Sequence, residues 1–335
     1  MDLWNPSEVS LDHMPETSSD STADCPSCKN NCTHISERHK LTSTSLFTCQ
    51  MCKLRFWFPR ALDAKYYETS RDYTGHRRGL SVLQRWHKSA LRSWGFSGSV
   101  LDVGCGDGVF AAELKSQGCE VHGIDINQFA CEAAINVRGL DDVYHANLDD
   151  YTAEILEGKG SAKYDIIAFF EVLEHQAAPE KFIQNIGKLI RPDGIIIGSV
   201  PNRNRLLIWR EESDYPPHHF LWWSKDSLGF FLSSNGYEQI EIHSKDSFYD
   251  LVCYTEYIIL HKFGYRVRAV LKSLLTREQE DEVKSIPIDS IKGSSGVLLK
   301  FMRICSVAFF TLPALFLWPW LRPNLYFKAA SKKAD

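Results

Sequence analysis

The chain has 335 residues, of which 44% are hydrophobic and 24% charged, and its formal net charge is −4. This composition is ordinary for a soluble globular protein with one large domain and an appendage, and the charge gives no reason to expect a nucleic-acid partner. The first residues lack a basic start followed by an apolar run, so we expect no secretory signal and a cytoplasmic location. Residues 1–24 carry six acidic residues and no lysine or arginine, which predicts a disordered leader.

The next predicted element is a zinc ribbon over residues 25–60. Two C-x-x-C pairs lie twenty residues apart, and the ten cysteines of a chain without an export signal are expected to stay reduced and to bind metal where they cluster. Four thiolates close a tetrahedron around Zn²⁺, so the site is structural. The predicted ligands are Cys25, Cys28, Cys49 and Cys52, and rival ligands in the loop are Cys32, His34 and His39. Lysine follows both pairs, at Lys29 and Lys53, where zinc ribbons often have glycine.

A basic amphipathic helix is predicted from about Arg77 to Trp94, after the aromatic run Phe56–Pro59. Its apolar residues recur at near-helical spacing, which predicts that one face lies in the core. These residues are Leu80, Leu83, Trp86 and Leu91. The basic residues are expected to form a solvated face.

The central motif runs from Val100 to Asp125 and places three glycines, at 104, 106 and 108, after an apolar run. This pattern predicts a strand, a tight turn where the backbone approaches a ligand, and a helix over Phe110–Ser116 whose first N–H groups point into the turn. The second strand ends in Asp125, where an acidic residue can bind both hydroxyls of a ribose. The nicotinamide fingerprint needs Gly or Ala at 109, which is Val here. The carboxylate of Asp102 suits a ligand that carries an amino group better than it suits a pyrophosphate.

Strands and helices continue to alternate as far as residue 202, which predicts a doubly wound parallel sheet in an α/β fold. The predicted elements are a helix over Asn127–Val137, strands over Val143–His145 and Tyr164–Phe170, a helix end and turn over Leu189–Gly194, and a strand over Ile195–Asn202. Asn147, after the short strand, offers a donor and an acceptor to a purine edge, or else forms an ordinary polar turn.

The glycine motif with Asp125 resembles motif I of the class I S-adenosylmethionine (SAM) methyltransferases. The runs E-V-L-E-H at 171–175, R-P-D-G at 191–194 and S-V-P-N at 199–202 resemble the group that includes the ubiquinone-biosynthesis O-methyltransferases. The resemblance covers roughly residues 65–245 and implies a Rossmann-like, seven-stranded core over residues 65–246 with SAM as cofactor. It implies cofactor contacts from Asp102, Gly104, Cys105, Gly106, Asp125, Ile126, Asn147, Leu148 and Glu171. An N-terminal zinc ribbon also recurs in methyltransferases of polysaccharide and natural-product pathways.

A hydroxyl acceptor needs a base within hydrogen-bond reach, and histidines supply the candidates. His175 follows a buried strand, while His218 and His219 stand in Tyr215-Pro-Pro-His-His-Phe220, which resembles an acceptor-side loop of the same methyltransferases. Such histidines also serve as helix caps or core hydrogen-bonders. In the quinone O-methyltransferases the residues matching Glu171, Glu174 and His175 are implicated in Mg²⁺ binding, although the same run occurs where no metal is used.

The C-terminal part predicts a helix over Ser224–Ser234, a strand over Tyr237–His243 and a last, antiparallel strand near Asn324–Ala330, in the tail 323–335. The helical insertion 247–322 between these strands is far longer than a hairpin loop. It contains eighteen uncharged residues from Ile304 to Leu321, interrupted by prolines. We expect peripheral membrane contact through 297–321, with upstream cations on anionic lipid. A lid packed on the protein's own core is the alternative.

These features together favour a SAM-dependent methyltransferase that acts on oxygen. The acceptor is expected to be a sugar, a lipid-linked molecule or a quinone-like molecule, because the same core serves many acceptors. Two rival interpretations are an RNA methyltransferase whose ribbon grips nucleic acid and a non-catalytic binding protein that has kept the fold. The net charge argues against the first, and the intact glycines and Asp125 argue against the second.

Overall fold

The structure is a computed structural model that describes residues 22–38, 44–60, 76, 78–158, 164–205, 214–244 and 324–332. The described residues belong to one compact unit of the chain. The predicted insertion 247–322, with its apolar segment, lies outside the described residues, as do the leader up to residue 21 and His39.

A small antiparallel sheet forms at the N-terminus, where aromatic and cysteine residues are buried. Its strands are β1 (Thr22–Asp24), β2 (Asn31–Arg38), β3 (Ser45–Thr48) and β4 (Arg55–Phe58), in the order β1-β2-β3-β4. We call residues 22–60 the ribbon. The prediction that residues 22–24 belong to a disordered leader is wrong, because Ala23 is buried and these residues pair with β2.

The large sheet has seven strands, as the sequence predicts. They are β5 (Ser99–Val103), β6 (Glu120–Asp125), β7 (Val143–His145), β8 (Tyr164–Phe170), β9 (Ile190–Pro201), β11 (Tyr237–His243) and β12 (Asn324–Ser331). Their order is β11-β12-β9-β8-β5-β6-β7, and β12 alone runs antiparallel to the other six strands. One further strand, β10 (Leu221–Trp222), pairs with β4 and completes the small sheet.

Helices cover both faces of the large sheet, because its central strands are apolar on both sides. They are α1 (Arg85–Ser93), α2 (Val109–Ser116), α3 (Gln128–Asn136), α4 (Leu148–Glu157), α5 (Pro179–Leu189) and α6 (Lys225–Ser234), with a 3-10 turn at Leu173–His175. Phe110 and Ala134 pack in the core under α1–α3, while Tyr151, Phe182 and Phe231 pack in the core under α4–α6. No helix among the described residues combines the length and hydropathy needed to cross a membrane.

Two predicted boundaries are wrong for tertiary reasons. Helix α1 begins at Arg85 rather than near Arg77, and Leu80 is 67% exposed instead of lying in the core. The backbone just before α1 is bound by side chains from elsewhere, as described below. Strand β9 begins at Ile190 rather than Ile195. The predicted turn before Ile195 forms part of the strand, as an irregularity in its pairing with β8, and Asp193 has a left-handed φ of 63°.

Candidate active site

The glycine loop joins β5 to α2 at the carboxyl edge of the parallel strands. Gly104 and Gly106 have left-handed φ values of 74° and 55°. A Cβ at Gly104 would lie 2.6 Å from Cγ2 of Val172, and one at Gly106 would lie 2.5 Å from Nδ1 of His76. A larger residue at either position would be strained and would clash with Val172 or His76. Glycine therefore allows the loop to pack closely against these side chains.

Two carboxylates flank the glycine loop. Oδ2 of Asp125 accepts the N–H of Gly106 at 2.8 Å, and its Oδ1 accepts the N–H of Asn127 at 2.8 Å. Each oxygen keeps further acceptor capacity, so the carboxylate can still bind ribose hydroxyls. Asp102 is 3% exposed at the end of β5. Burial, and then the charge of Asp125, raises the pKa of Asp102 to about 7, and burial also raises the pKa of Asp125. The buried carboxyl of Asp102 and the half-buried one of Asp125 together favour a cationic ligand.

All nine residues predicted to contact the cofactor line one cavity of about 480 Å³, a volume typical of small-molecule sites. The three predicted catalytic histidines line the same cavity. Asn147 also caps α4: its Oδ1 accepts the N–H of Asp150 at 2.9 Å, and its Nδ2 donates to the Asp150 carboxylate at 2.7 Å. Its predicted contact with a purine edge stays a prediction.

The segment just before α1 contributes to the lining of the cavity and is held by an ion pair that was not predicted from the sequence. Oδ2 of Asp107 accepts the Ser81 N–H and a guanidinium N–H of Arg138, each at 3.0 Å. The same guanidinium donates to the carbonyl oxygens of Gly79 and Ser81. We call residues 79–84 the strap. Asp107 lies inside the glycine motif. Its charge at a position between two glycines was the one feature of the sequence that could have indicated this ion pair.

The opposite end of the cavity is built from three histidine rings. His175 follows β8, and His218 and His219 lie on the acceptor loop, which we define as residues 214–220. Ring centroids of the three pairs are 4.7 to 4.8 Å apart. Nδ1 of His175 lies 2.7 Å from the carbonyl oxygen of His218, so this nitrogen carries the proton and donates it. Nε2 of His175 is then the ring nitrogen with the basic lone pair.

Two acidic residues face these rings. Glu174 is fully buried, and its Oε1 lies 3.9 Å from Nε2 of His175 and 3.8 Å from Nε2 of His219. Among the described residues, neither carboxyl oxygen of Glu174 has a hydrogen-bond partner. Oδ1 of Asp214 lies 3.6 Å from Nδ1 of His219, and Asp214 also pairs with Arg205. From the sequence, Glu174 is expected only as a possible metal ligand, and Asp214 is not expected at the site.

Burial keeps the imidazoles neutral at physiological pH. It lowers the pKa of His175 and of His218 to about 3, and that of His219 to about 4. Burial, assisted by the charge of Glu171, raises the pKa of Glu174 well above its ordinary value. Neutral imidazoles can accept a proton, which an imidazolium cannot do.

Glu171 also lines the cavity, and its backbone adopts a constrained conformation. Its φ is 55°, which is unusual for a residue other than glycine and is common at functional sites. Oε1 accepts the hydroxyl of Ser199 at 2.7 Å and the amide of Asn324 at 2.9 Å. Arg85 donates to the other end of that amide at 2.7 Å. These bonds fix the carboxylate and leave part of its acceptor capacity for a ligand.

The ribbon brings together the four predicted zinc ligands. Sγ of Cys25 lies 3.5 Å from that of Cys52, and Sγ of Cys28 lies 3.4 Å from that of Cys49. Four sulfurs at this separation fit a tetrahedron with Zn–S bonds of about 2.3 Å. The rival Cys32 instead directs its thiol to the carbonyl oxygen of Asn30, at 3.2 Å.

The two lysines after the cysteine pairs adopt the conformation that glycine would adopt. The φ values of Lys29 and Lys53 are 60° and 63°. Their N–H groups donate to the carbonyl oxygens of Cys25 and Cys49, at 2.9 and 3.1 Å. The departure from glycine therefore leaves the turn geometry intact.

Comparisons with known proteins match this architecture. A family model described as "Methyltransferase domain" matches residues 74–242, half of the chain. The ubiquinone biosynthesis O-methyltransferase of Paraburkholderia phymatum is 32% identical over 105 residues, 31% of this chain and 45% of that protein. Its counterpart in Salmonella paratyphi A is 33% identical over 114 residues, 34% of this chain and 47% of that protein. The chain thus spans about half the length of the curated relatives it matches.

A solved phosphoethanolamine N-methyltransferase 2 from Haemonchus contortus, in complex with S-adenosylhomocysteine, superposes with a TM-score of 0.51. It is 15% identical and covers 84% of this chain and 62% of its own, so the likeness shows the fold alone. The family match covers the glycine loop, both carboxylates and the histidine end of the cavity. This chain belongs to the class I SAM-dependent methyltransferases.

Proposed function

We propose that the protein transfers a methyl group from SAM to a hydroxyl oxygen of an acceptor that enters the cavity at its histidine end. The observation that carries the proposal is the single cavity that joins the two ends: the glycine loop with Asp102 and Asp125, and the cluster of His175, His218 and His219. Methyl transfer is an in-line displacement, so donor and acceptor must meet in one enclosed space.

Bound SAM supplies an electrophilic methyl group on a sulfonium. The residues of the chain would hold SAM and remove the proton from the acceptor hydroxyl. Asp125 would accept hydrogen bonds from the ribose hydroxyls of SAM, and Asp102 would face its amino group. Nε2 of a neutral histidine would accept the hydroxyl proton of the acceptor as the acceptor oxygen takes the methyl group from the sulfonium. His175 is oriented for this step by its Nδ1–H bond to the His218 carbonyl oxygen. Glu174 lies beside both His175 and His219, and its carboxyl, once ionised, would stabilise the imidazolium that results.

Support for an oxygen acceptor comes from the curated relatives, which are named ubiquinone biosynthesis O-methyltransferases. A quinone-like, sugar or lipid-linked acceptor shares the hydroxyl that the histidines would deprotonate. Three imidazoles are ligands that suit zinc and other transition metals rather than Mg²⁺, and Glu171 is already bonded to Ser199 and Asn324. Mg²⁺ is therefore no part of the proposal.

The proposal includes one structural Zn²⁺ on the four ribbon thiolates. Its support is the sulfur spacing and the chemistry of the donor set, since four thiolates leave no position for a substrate. The purified protein is expected to carry about one zinc ion per chain.

The test is a transfer assay with SAM and hydroxyl acceptors, namely a catechol, a nucleotide sugar and a lipid-linked sugar. S-adenosylhomocysteine and the methylated product are measured by mass spectrometry. His175→Gln and His219→Gln are expected to lower kcat by about 100-fold, the usual contribution of a general base, with SAM affinity unchanged. His122→Gln is the matched control, because this histidine bonds to Tyr164 and lies away from the cavity lining. Methyl transfer only to nitrogen or carbon acceptors would contradict the proposal.

A further inference from the structure

We propose that the ribbon is a positioning element for the acceptor loop, so that metal binding at the four thiolates controls the histidine end of the cavity and leaves the cofactor end unaffected. The inference rests on the proposed function for the role of the histidines. Its structural content, a ribbon that holds residues 214–220 in place, is independent of any reaction.

The first connection is through the main chain. The N–H of Trp57, in β4, donates to the carbonyl oxygen of Phe220 at 2.9 Å. The N–H of Phe220 donates to the carbonyl oxygen of Glu174 at 3.0 Å. Phe220 is therefore tied on one side to the ribbon and on the other to the turn that carries Glu174 and His175. His218 and His219 immediately precede this doubly anchored residue.

The second connection is an aromatic cluster at the base of the acceptor loop. Trp57 is fully buried, and its ring centroid lies 6.0 Å from that of Tyr215 and 5.6 Å from that of Trp222. The carbonyl oxygen of Tyr215 accepts the N–H groups of His218 and His219, at 3.0 and 3.1 Å. The residue that fixes the backbone of both histidines thus packs directly on a ribbon side chain.

The path from the metal ligands to Trp57 is short. The N–H of Cys49 donates to the carbonyl oxygen of Leu54 at 2.9 Å, and β4 begins at the next residue, Arg55. Arg203 donates to the carbonyl oxygen of Lys53, and Nε of Arg60 donates to that of Ala177 at 3.0 Å. The turn that contains Lys53 and the segment after β4 are therefore both hydrogen-bonded to the α/β core.

The cofactor end has no such dependence. Among the described residues, those that line the cavity include none from the ribbon. The loop and carboxylates that face SAM are bonded to each other and to the central sheet, as the bond from the Gly106 N–H to Asp125 shows. A structural zinc site supplies folding free energy to the segment that it closes. Loss of the metal should release β4 and Trp57, and with them one of the two anchors of Phe220.

The test compares the metal-loaded protein, the same protein after chelation, and Cys52→Ser. Cys32→Ser is the matched control, because Cys32 is a buried ribbon thiol that donates to the Asn30 carbonyl oxygen and is not one of the four grouped sulfurs. The measurements are metal content, SAM affinity by calorimetry, and amide hydrogen exchange in residues 214–222 and 100–125.

We expect chelation and Cys52→Ser to accelerate exchange in residues 214–222 by about tenfold or more. SAM affinity should stay within about twofold, as for independent sites. Added Zn²⁺ should restore the chelated protein, and Cys32→Ser should behave as wild type. Trp57→Ala should loosen the same residues at full metal content, while Trp57→Phe should loosen them less.

Unchanged exchange in residues 214–222 after metal loss would overturn the inference, and so would a parallel loss of SAM binding, which would make the ribbon a requirement of the whole fold. If metal loss accelerates exchange in residues 214–222 but the protein methylates no hydroxyl, this inference stands and the proposed function is refuted.

Discussion

Replacing Asp102 with asparagine tests whether the cofactor end is built for a cation. A carboxyl whose pKa is higher in the folded than in the unfolded state stabilises the protein below its unfolded pKa. That contribution is lost as the pH rises through the folded pKa. For Asp102 the window runs from its ordinary 3.8 to about 7. At pH 8 the ionised carboxylate therefore costs the unliganded protein on the order of 4 kcal/mol, since one pKa unit is about 1.4 kcal/mol.

Asp102→Asn removes this cost, so the free energy of unfolding of the unliganded variant should exceed that of wild type at pH 8, by up to about 4 kcal/mol. Near pH 4 the two proteins should differ little. SAM affinity should change in the opposite direction, because we propose that the ionised carboxylate of Asp102 pairs with the SAM ammonium. Between pH 5 and 7, wild-type affinity should rise by up to about tenfold per pH unit, whereas the affinity of the variant should stay flat.

The measurements are urea unfolding without ligand and calorimetry with SAM, both across this pH range. Asp165→Asn is the control: Asp165 accepts the Ser99 N–H at 2.8 Å, and that bond lowers its pKa. Its loss should destabilise the protein at pH 8 and leave the pH dependence of SAM affinity unchanged. The reasoning would be refuted by an Asp102→Asn variant that is less stable than wild type at pH 8, or that keeps the wild-type pH dependence of SAM binding.

Three further predictions concern the strap, the ribbon and the insertion. Arg138→Met removes the guanidinium that pairs with Asp107, so the strap should loosen. SAM affinity in calorimetry should fall by about tenfold or more, because a charged hydrogen bond contributes about 1.5–3 kcal/mol; unchanged affinity would show that the strap does not support the cofactor site. Lys53→Gly should stabilise the zinc-loaded protein in thermal unfolding by about 0.5–1 kcal/mol, because glycine adopts a left-handed φ without cost, and Lys53→Ala should give no such gain. The sequence of the insertion predicts flotation with anionic liposomes, partly reversed by high salt; Phe316→Glu with Trp320→Glu should abolish it at unchanged SAM affinity, and failure of the wild type to float would favour a soluble acceptor.

The central sheet could be predicted because its signals are local. Each buried strand is an apolar run, and Gly104 and Gly106 mark a turn that other residues cannot form. The start of α1 could not be predicted, because the backbone of Ser81 is bound by Asp107 and Arg138, which are distant in sequence. A helical pattern cannot reveal such competition.

The sequence allowed the residues of the candidate site to be predicted, but not their arrangement in space. His175 and the pair His218–His219 each stood out separately, and the fold brings them within ring contact. The buried position of Glu174 between them depends on how the acceptor loop folds back, which no spacing encodes. The link from the ribbon to this loop was missed for the same reason, since β10 is too short to be read as a strand.

The split origin of the small sheet also bears on how the chain is made. β4 ends at Phe58, but its partner β10 begins at Leu221. During synthesis β4 therefore leaves the ribosome as an open edge that carries aromatic residues, and it stays open until most of the large sheet has been translated. Open edges of this kind promote aggregation.

The same feature limits how the ribbon could be transferred between proteins in evolution. The first sixty residues could move to another protein only together with a strand that pairs with β4, as β10 does here, which makes them a poor module despite their position at one end of the chain.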